Sequence, residues 1–551
     1  MEQPGASRLQ WLFAPEYGLR DRLLPRWLFL RALGLIYFSA FFSLVFQIKG
    51  LVGPQGILPA GEYLQAVRRA LGHWRFWYAP TVLWMGSGTH ALLALCWVGM
   101  AASVLLTLNL WPRGMLTACF VCYLSFIAAA GDFSSYQSDG MLLEAGCLAL
   151  LLAPPGFWPG LGLSSPPSRA SYYLLLWEWF RIYFESGMVK LLSGDPEWRN
   201  LTAMNDYYQN GPLPTWIGWY AGHLPVWFHK GAALMTLVLE LGLVWLAVLP
   251  RRVRLFCFVL VTAWQIGVIL TANYTFLNYL VLALGFLLLD DRALLWVRRR
   301  LFRGWGEPLP EPVEDAAMEQ PSSVRERRGR SIPHWHAMRD SPAMQHVRAL
   351  RRALAVVLLV SIAYVTTFLL LHMVWRELPL PAAPARVLAP FRIANEYGLF
   401  AVMTRGRYEI EFQGSDDGVN WTAYPFRYKP QALNVAPGLY APYQPRFDWN
   451  LWFASLGQWT QYPIVPRTQE LLLHNDADVL TLFAGNPFSN HPPRLVRSVL
   501  WQYWFTTEAE KRRTGNWWRR ELLGTYAPTF ALGPDGQVRI TQDQTLVGPH
   551  D

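Results

Sequence analysis

Long apolar runs with almost no charge crowd the first three hundred residues, broken by short clusters of Arg, Pro and Gly. A bilayer core needs roughly 20 apolar residues as helix. Nine runs approach that length: Trp27–Ile48, Thr89–Leu108, Gly114–Ala130, Asp139–Ala153, Ser171–Leu192, Ala232–Leu249, Arg254–Ala272, Phe276–Leu289 and, after a polar interval, Ala353–Met373. The fourth and eighth are short and read as tilted, partial or re-entrant. Arg20, Arg22 and Arg26 precede the first run without a small-residue cleavage site, so it reads as an uncleaved anchor.

Past the ninth run the period changes to two. Tyr408–Gln413 alternates as a strand, and Ser415–Asn420 is turn chemistry around Gly418. Trp421–Tyr428 reads as a second strand. Asp448–Trp459 reads as a short helix with Asp448 as N-cap, and Arg467–Leu473 and Asp476–Ala484 as helical turns with Asn475 or Asp476 as cap. Val496–Thr506 and Trp517–Tyr526 return to strand composition. The expected architecture is a polytopic α-helical membrane domain of about eight to nine transmembrane segments, followed by a strand-rich α+β soluble domain. Its parts are a cytosolic segment 1–26 and a multi-pass domain 27–290 with external loops 49–88 and 193–231. A basic, Pro/Arg-rich cytosolic linker follows at 291–352, then a last transmembrane helix 353–374 and an extracytoplasmic domain 385–535.

Composition sharpens this picture. Of 551 residues, 53% are hydrophobic and only 16% charged, against about 25% charged in an average soluble domain. The net charge of +10 does not mark a nucleic-acid binder. From Arg386 onward there are 16 basic and 15 acidic residues, so the excess lies between apolar runs, where membrane topology puts it. With the N-terminus in the cytosol, Arg113, Arg169, Arg251, Arg252, Arg254 and the segment 290–352, with 13 Arg and 9 acidic residues, fall on the cytosolic side. The short opposite connections near 131–138 and 271–275 contain no Lys or Arg. The five cysteines, Cys96, Cys119, Cys122, Cys147 and Cys257, all lie in apolar runs, so the Cys119/Cys122 pair reads as packing rather than redox chemistry and the C-terminal domain has no disulfides to form.

Charges inside the apolar runs are the main candidates for function, because they belong in a bundle interior or a wet cavity. At about 100° per residue, Glu178, Arg181 and Glu185 share one narrow stripe. They read either as a self-neutralising ladder or as one wall of a polar cavity that Asp139, Glu144, Glu240 and Gln265 would join. Lys190 lies near the helix end, where it would snorkel. The following loop carries Asp195, Trp198, Arg199, Thr202 and Met204, then Pro225, Trp227 and His229. Its aromatics suggest an interfacial belt, and His223 and His229 make a weak zinc pair. No P-loop, HExxH or GxSxG motif is present, and no cofactor or metal is expected.

Several of these stretches, in this order, resemble the lipase maturation factor family. They are Tyr136–Glu144, Phe180–Met204, Pro225–His229, Pro442–Phe453, Asn486–Phe488, Asn516–Arg519 and Tyr526–Pro528. The resemblance spans about Trp27 to Phe530. It implies a membrane protein that assists folding or assembly of secreted lipases and engages them through a C-terminal domain outside the cytosol. That membrane would be the endoplasmic reticulum in a eukaryote. In a bacterium, which the excess of Arg over Lys suits, it would be the cytoplasmic membrane. Val547–Asp551 carries no lumenal retrieval signal. Disulfide-linked versions of the mechanism do not fit a domain without cysteine.

A folding factor needs surfaces rather than a nucleophile. The C-terminal candidates for client binding are Arg446, Asp448, Trp449, Trp452, Asn486, Pro487, Phe488, Trp517, Trp518 and Arg519. The expected partners are a secreted lipase or related hydrolase and the lipid bilayer, with no nucleic acid. The alternative is an integral-membrane enzyme with a polar intramembrane cavity, similar to membrane carboxylase-like modules.

Overall fold

The computed structural model describes residues 8–13, 17–301, 342–541 and 546–549. Most of the expected linker, 302–341, lies outside the described residues. Nine apolar helices occupy the nine expected positions among those described. They are α1 Leu23–Val45, α2 Thr89–Thr107, α3 Pro112–Ile127, α4 Gln137–Leu152, α5 Arg169–Leu192, α6 Val226–Leu241, α7 Arg251–Thr271, α8 Leu277–Gly285 and α9 Pro342–Val374.

Five of the nine are long and apolar enough to cross a membrane: α1, α2, α6 with its 3-10 extension to Val248, α7 and α9. This is fewer than the eight to nine crossings expected. The reasons are legible. α3 has 16 residues, α4 also 16, α8 nine, and α5 is long enough but carries five charges. α6 and α7 turn apolar side chains outward, with Trp227, Val248, Phe256 and Val259 all more than half exposed. Such surface suits lipid rather than water. α4 and α5 instead lie inside the bundle, with Asp139, Glu144, Glu178, Arg181 and Glu185 each 1% exposed or less.

Both ends of the expected linker span 291–352 are helical. Helix Asp291–Leu301 continues past α8, and α9 begins at Pro342. Asp291 anchors the first of these, accepting the Leu24 backbone N–H at 2.8 Å beside the start of α1. The two expected external loops are also helical in part, over Ala60–Leu71 and over Met204–Asn210 and Trp216–Gly222.

The C-terminal region is α+β. A five-stranded antiparallel sheet has the order β2-β1-β3-β4-β5, with β1 Arg407–Ser415, β2 Thr422–Ala423, β3 Leu495–Phe505, β4 Trp518–Leu532 and β5 Val538–Ile540. β1 runs against β3 from the Arg407/Tyr503 pair to the Ser415/Leu495 pair. Tyr408, Ile410 and Phe412 face a core built with Phe447, Leu451 and Phe483 from α10 Arg446–Ala454 and the segment after α11 Ile464–Leu473. The second strand is two residues long rather than the expected 421–428, because Pro425 brings no N–H to the ladder. Asp448 is not an N-cap. It lies in the first turn of α10, which Pro445 precedes, and accepts the Lys429 backbone N–H. Asp476 does cap, accepting from the Asp478 and Val479 amides.

The polar side of β1 is buried too. Lys429 pairs with Glu409 at 2.9 Å and Arg520 with Glu411 at 3.2 Å, while Arg407 contacts Glu409. Alternation along β1 therefore separates an apolar face from an ion-paired one, not core from water.

Candidate functional site

The buried charges of the membrane helices and of the C-terminal region meet one another. Arg446, at the start of α10, has no exposed surface and forks onto both carboxylate oxygens of Asp139 in α4, each at 2.8 Å. It also donates to the Phe133 carbonyl at 2.5 Å and to the Tyr123 hydroxyl at 3.0 Å, and Tyr123 donates to Asp139 at 2.6 Å. At the end of α1, Gln47 completes the joint. It accepts the Arg446 backbone N–H at 2.8 Å and donates to the Gln444 carbonyl at 2.9 Å.

A second joint lies one turn along. Arg181 of α5 contacts Glu144 of α4 and sits 3.6 Å from Glu185. Glu144 also accepts the Asn395 backbone N–H at 2.9 Å and the Tyr397 hydroxyl at 2.9 Å, and Glu185 accepts the Tyr397 backbone N–H at 2.7 Å. Arg181 donates to the Asn395 carbonyl at 2.7 Å. Gly140 permits this approach, since a Cβ there would lie 2.7 Å from the Asn395 side-chain oxygen.

Lys190 makes the third joint, and it does not snorkel. It is 1% exposed, pairs with Glu240 of α6 at 2.8 Å and donates to the Leu399 carbonyl at 3.0 Å. Nor is the Glu178–Arg181–Glu185 stripe a self-sufficient ladder. The principal partner of Arg181 is on another helix, and both carboxylate oxygens of Glu178 have no hydrogen-bond partner among the described residues. Gln265 is bonded apart from these joints, to Tyr183 and Asn278.

The loop motif after α5 holds the same segment from the other side. Asp195 caps its short helix and accepts the Met403 backbone N–H at 2.6 Å, and Trp198 donates to the Phe400 carbonyl at 2.9 Å. Thr202 contacts the Glu197 carboxylate, and Met204 is buried. Arg199 and Pro225 are exposed, as is Trp227. His229 is buried between Tyr208 and Phe228 rather than near a metal-ligand set, and no cluster of three or more metal-ligating side chains occurs among the described residues.

Of the ten C-terminal candidates, Pro487 and Arg519 are exposed, Asn486, Phe488 and Trp517 are half-buried, and Arg446, Asp448, Trp449, Trp452 and Trp518 are buried. Trp517 packs on Trp219 of the loop between α5 and α6, with ring centroids 5.4 Å apart. Asp448 is pushed up to about 6, because burial outweighs the neighbouring Lys429. Burial likewise pulls the Arg407 guanidinium below its ordinary value, against Glu409. Asn395, Tyr397, Gln47 and Tyr123 were not among the expected site residues. They are ordinary residues in a loop or an apolar run, and only their partners mark them.

The arrangement is a clamp: the Arg446–Asp139 ion pair joins the two halves directly, while the Arg181–Glu144 and Lys190–Glu240 pairs, each within the membrane helices, grip residues 395–399 through hydrogen bonds. The comparisons follow the same division. The lipase maturation factor transmembrane domain matches residues 24–296, and the lipase maturation factor C-terminal domain matches residues 393–528. Lipase maturation factor 2 of Homo sapiens is 32% identical over 594 residues, covering 93% of this chain and 83% of that protein. Lipase maturation factor 1 of Bos taurus is 30% identical over 529 residues, covering 92% and 89% respectively. No solved structure matches. With both halves matched in order and joined by the residues described above, the chain belongs to the lipase maturation factor family.

Proposed function

We propose that this chain is a membrane-embedded folding and assembly factor for secreted lipases, with its C-terminal domain outside the cytosol and in contact with the client. The observation that carries the reading is the match to both family domains over nearly the whole chain, together with relatives whose names give lipase maturation as their role. The orientation rests on the Arg-rich connections at Arg113, Arg169 and Arg251–Arg254. A client surface is best sought among exposed side chains of the sheet. Arg519 lies over Trp504 at 5.1 Å and Leu522 is half exposed, both in the sheet, and Pro487 is exposed in the turn before β3. A partly assembled lipase presents apolar surface and strand edges that such a patch can hold weakly and release.

The test is secreted lipase activity per unit of lipase protein, with and without this chain. Deleting the C-terminal half is a poor variant, because it would strand Asp139 and remove the hydrogen bonds that Glu144 and Lys190 make to residues 395–399. Arg519→Glu with Leu522→Glu alters only surface and should abolish the gain while the chain stays folded. Full gain with that variant would remove the sheet surface from the reading, and no gain with the intact chain would remove the reading itself. A second reading, a membrane enzyme, draws on the unpartnered Glu178 carboxylate. If Glu178→Gln ended the gain at an unchanged level of chain, chemistry would replace holding.

A further inference from the structure

Residues 398–404, which lead from the last membrane helix into β1, run between two adjoining cavities. The larger is about 660 Å³ and lies against α10, the turn before α4 and the α7–α8 connection. The smaller is about 270 Å³ and lies among α5, α6, α7 and α8. Leu399, Phe400, Tyr207, Val268, Leu277 and Asn278 line both. The partition is pinned by Lys190 on the Leu399 carbonyl, Trp198 on the Phe400 carbonyl and Asp195 on the Met403 N–H. Phe400 is held there at φ +57°, a left-handed conformation that strains a non-glycine residue.

We propose that the two cavities form one binding site for a neutral monoacylglycerol, its glycerol ester in the larger cavity and its acyl chain in the smaller. This assignment is independent of the client reading. A site for a small molecule spans roughly 300–1,000 Å³, mostly apolar with a few placed polar groups. The larger cavity fits that description. Three of its lining residues, Tyr274, Thr275 and Trp449, carry buried polar atoms with no hydrogen-bond partner among the described residues. Trp449 is 9% and Thr275 2% exposed. Buried polar groups normally find partners, so a ligand with ester or hydroxyl oxygens satisfies them.

Charge selects among such ligands. The larger lining holds one carboxylate, Asp132, and no Lys, Arg or His, and in the smaller one Lys190 is already paired with Glu240. A fatty-acid carboxylate or a phosphate would enter without a free cation, which is costly. A neutral head meets no such cost. The single side cavity suits one acyl chain rather than two. Access is available where the larger lining reaches the surface, at Asp132, Val402 and Phe453, beside the ends of α3 and α4.

The experiment uses the full chain in phosphatidylcholine nanodiscs and a monoacylglycerol bearing a diazirine on its acyl chain. Photoadducts should map to α5, α7, α8 and residues 399–403. Unlabelled 1-monooleoylglycerol should compete, while oleate and phosphatidylglycerol should not. Thr275→Val with Trp449→Phe should lower labelling about tenfold, as the loss of two modest hydrogen bonds implies. Val402→Trp changes an exposed position at the mouth, so folding is not at issue, and it should block labelling. Adducts confined to the outward faces of α6 and α7, labelling unchanged by Val402→Trp, or equal competition by oleate would each overturn the assignment.

Discussion

Replacing Arg446 by Met tests whether the two halves are held by paired buried charge. Arg446 and Asp139 are 0% and 1% exposed, and Arg446 makes four side-chain hydrogen bonds, two of them to Asp139. Removing one partner of a buried pair costs about 3–5 kcal/mol, because the remaining charge has no water to return to. At 1.4 kcal/mol per decade, this is a rise of about two to three and a half decades in the opening equilibrium of the joint. Hydrogen exchange of α10 in nanodiscs reads that equilibrium directly. The amides of Arg446–Ala454 should exchange faster by that factor, while those of β3 and β4 change little. The double variant Asp139→Leu with Arg446→Met removes both charges and should recover part of the protection. Full recovery is not expected, since the Phe133 carbonyl also loses its donor and the Tyr123 hydroxyl its acceptor, at about 1–3 kcal/mol for a group left unpaired. An unchanged Arg446→Met variant, or a double variant as open as the single one, would refute the reasoning.

Other consequences are equally specific. Arg181→Leu should lower the yield of monodisperse, detergent-extracted chain more than Glu144→Leu with Arg181→Leu; apolar replacement of Glu178, Arg181 and Glu185 together should not rescue it, because Glu144 would be left without Arg181. Gly140→Val should destabilise by about 1–3 kcal/mol in thermal unfolding, because its side chain meets Asn395 in a well-packed joint. Asp448 titrates at about 6 when folded against an ordinary 3.8, so the folded state keeps a proton that the unfolded state loses between those values. Stability from this group is therefore highest below pH about 4 and falls by about 3 kcal/mol as pH rises to about 6. Asp448→Asn should flatten that slope, and an unchanged slope would reassign it to another group.

The sequence by itself determined where the helices lie and which charges had to be inside. Length and hydropathy locate apolar helices because each run satisfies its own backbone and needs nothing from elsewhere in the chain. The same locality makes β1 readable from period-two patterning, β3 and β4 from strand composition, and Asp476 readable as one of two candidate caps. Partners were not readable, since a charge does not name its counter-charge. The spacing of Glu178, Arg181 and Glu185 suggested pairing within α5, yet Arg181 found Glu144 on α4. The position of Lys190 near a helix end suggests snorkelling to water, but tertiary packing gives it Glu240 and buries it. Arg446, Asp139, Asn395 and Tyr397 lie up to 307 residues apart in hydrogen-bonded pairs, and only the folded chain brings them together. Burying a charge is favourable only with a precisely placed partner, so such contacts depend on the positions of several elements at once, which no local pattern encodes.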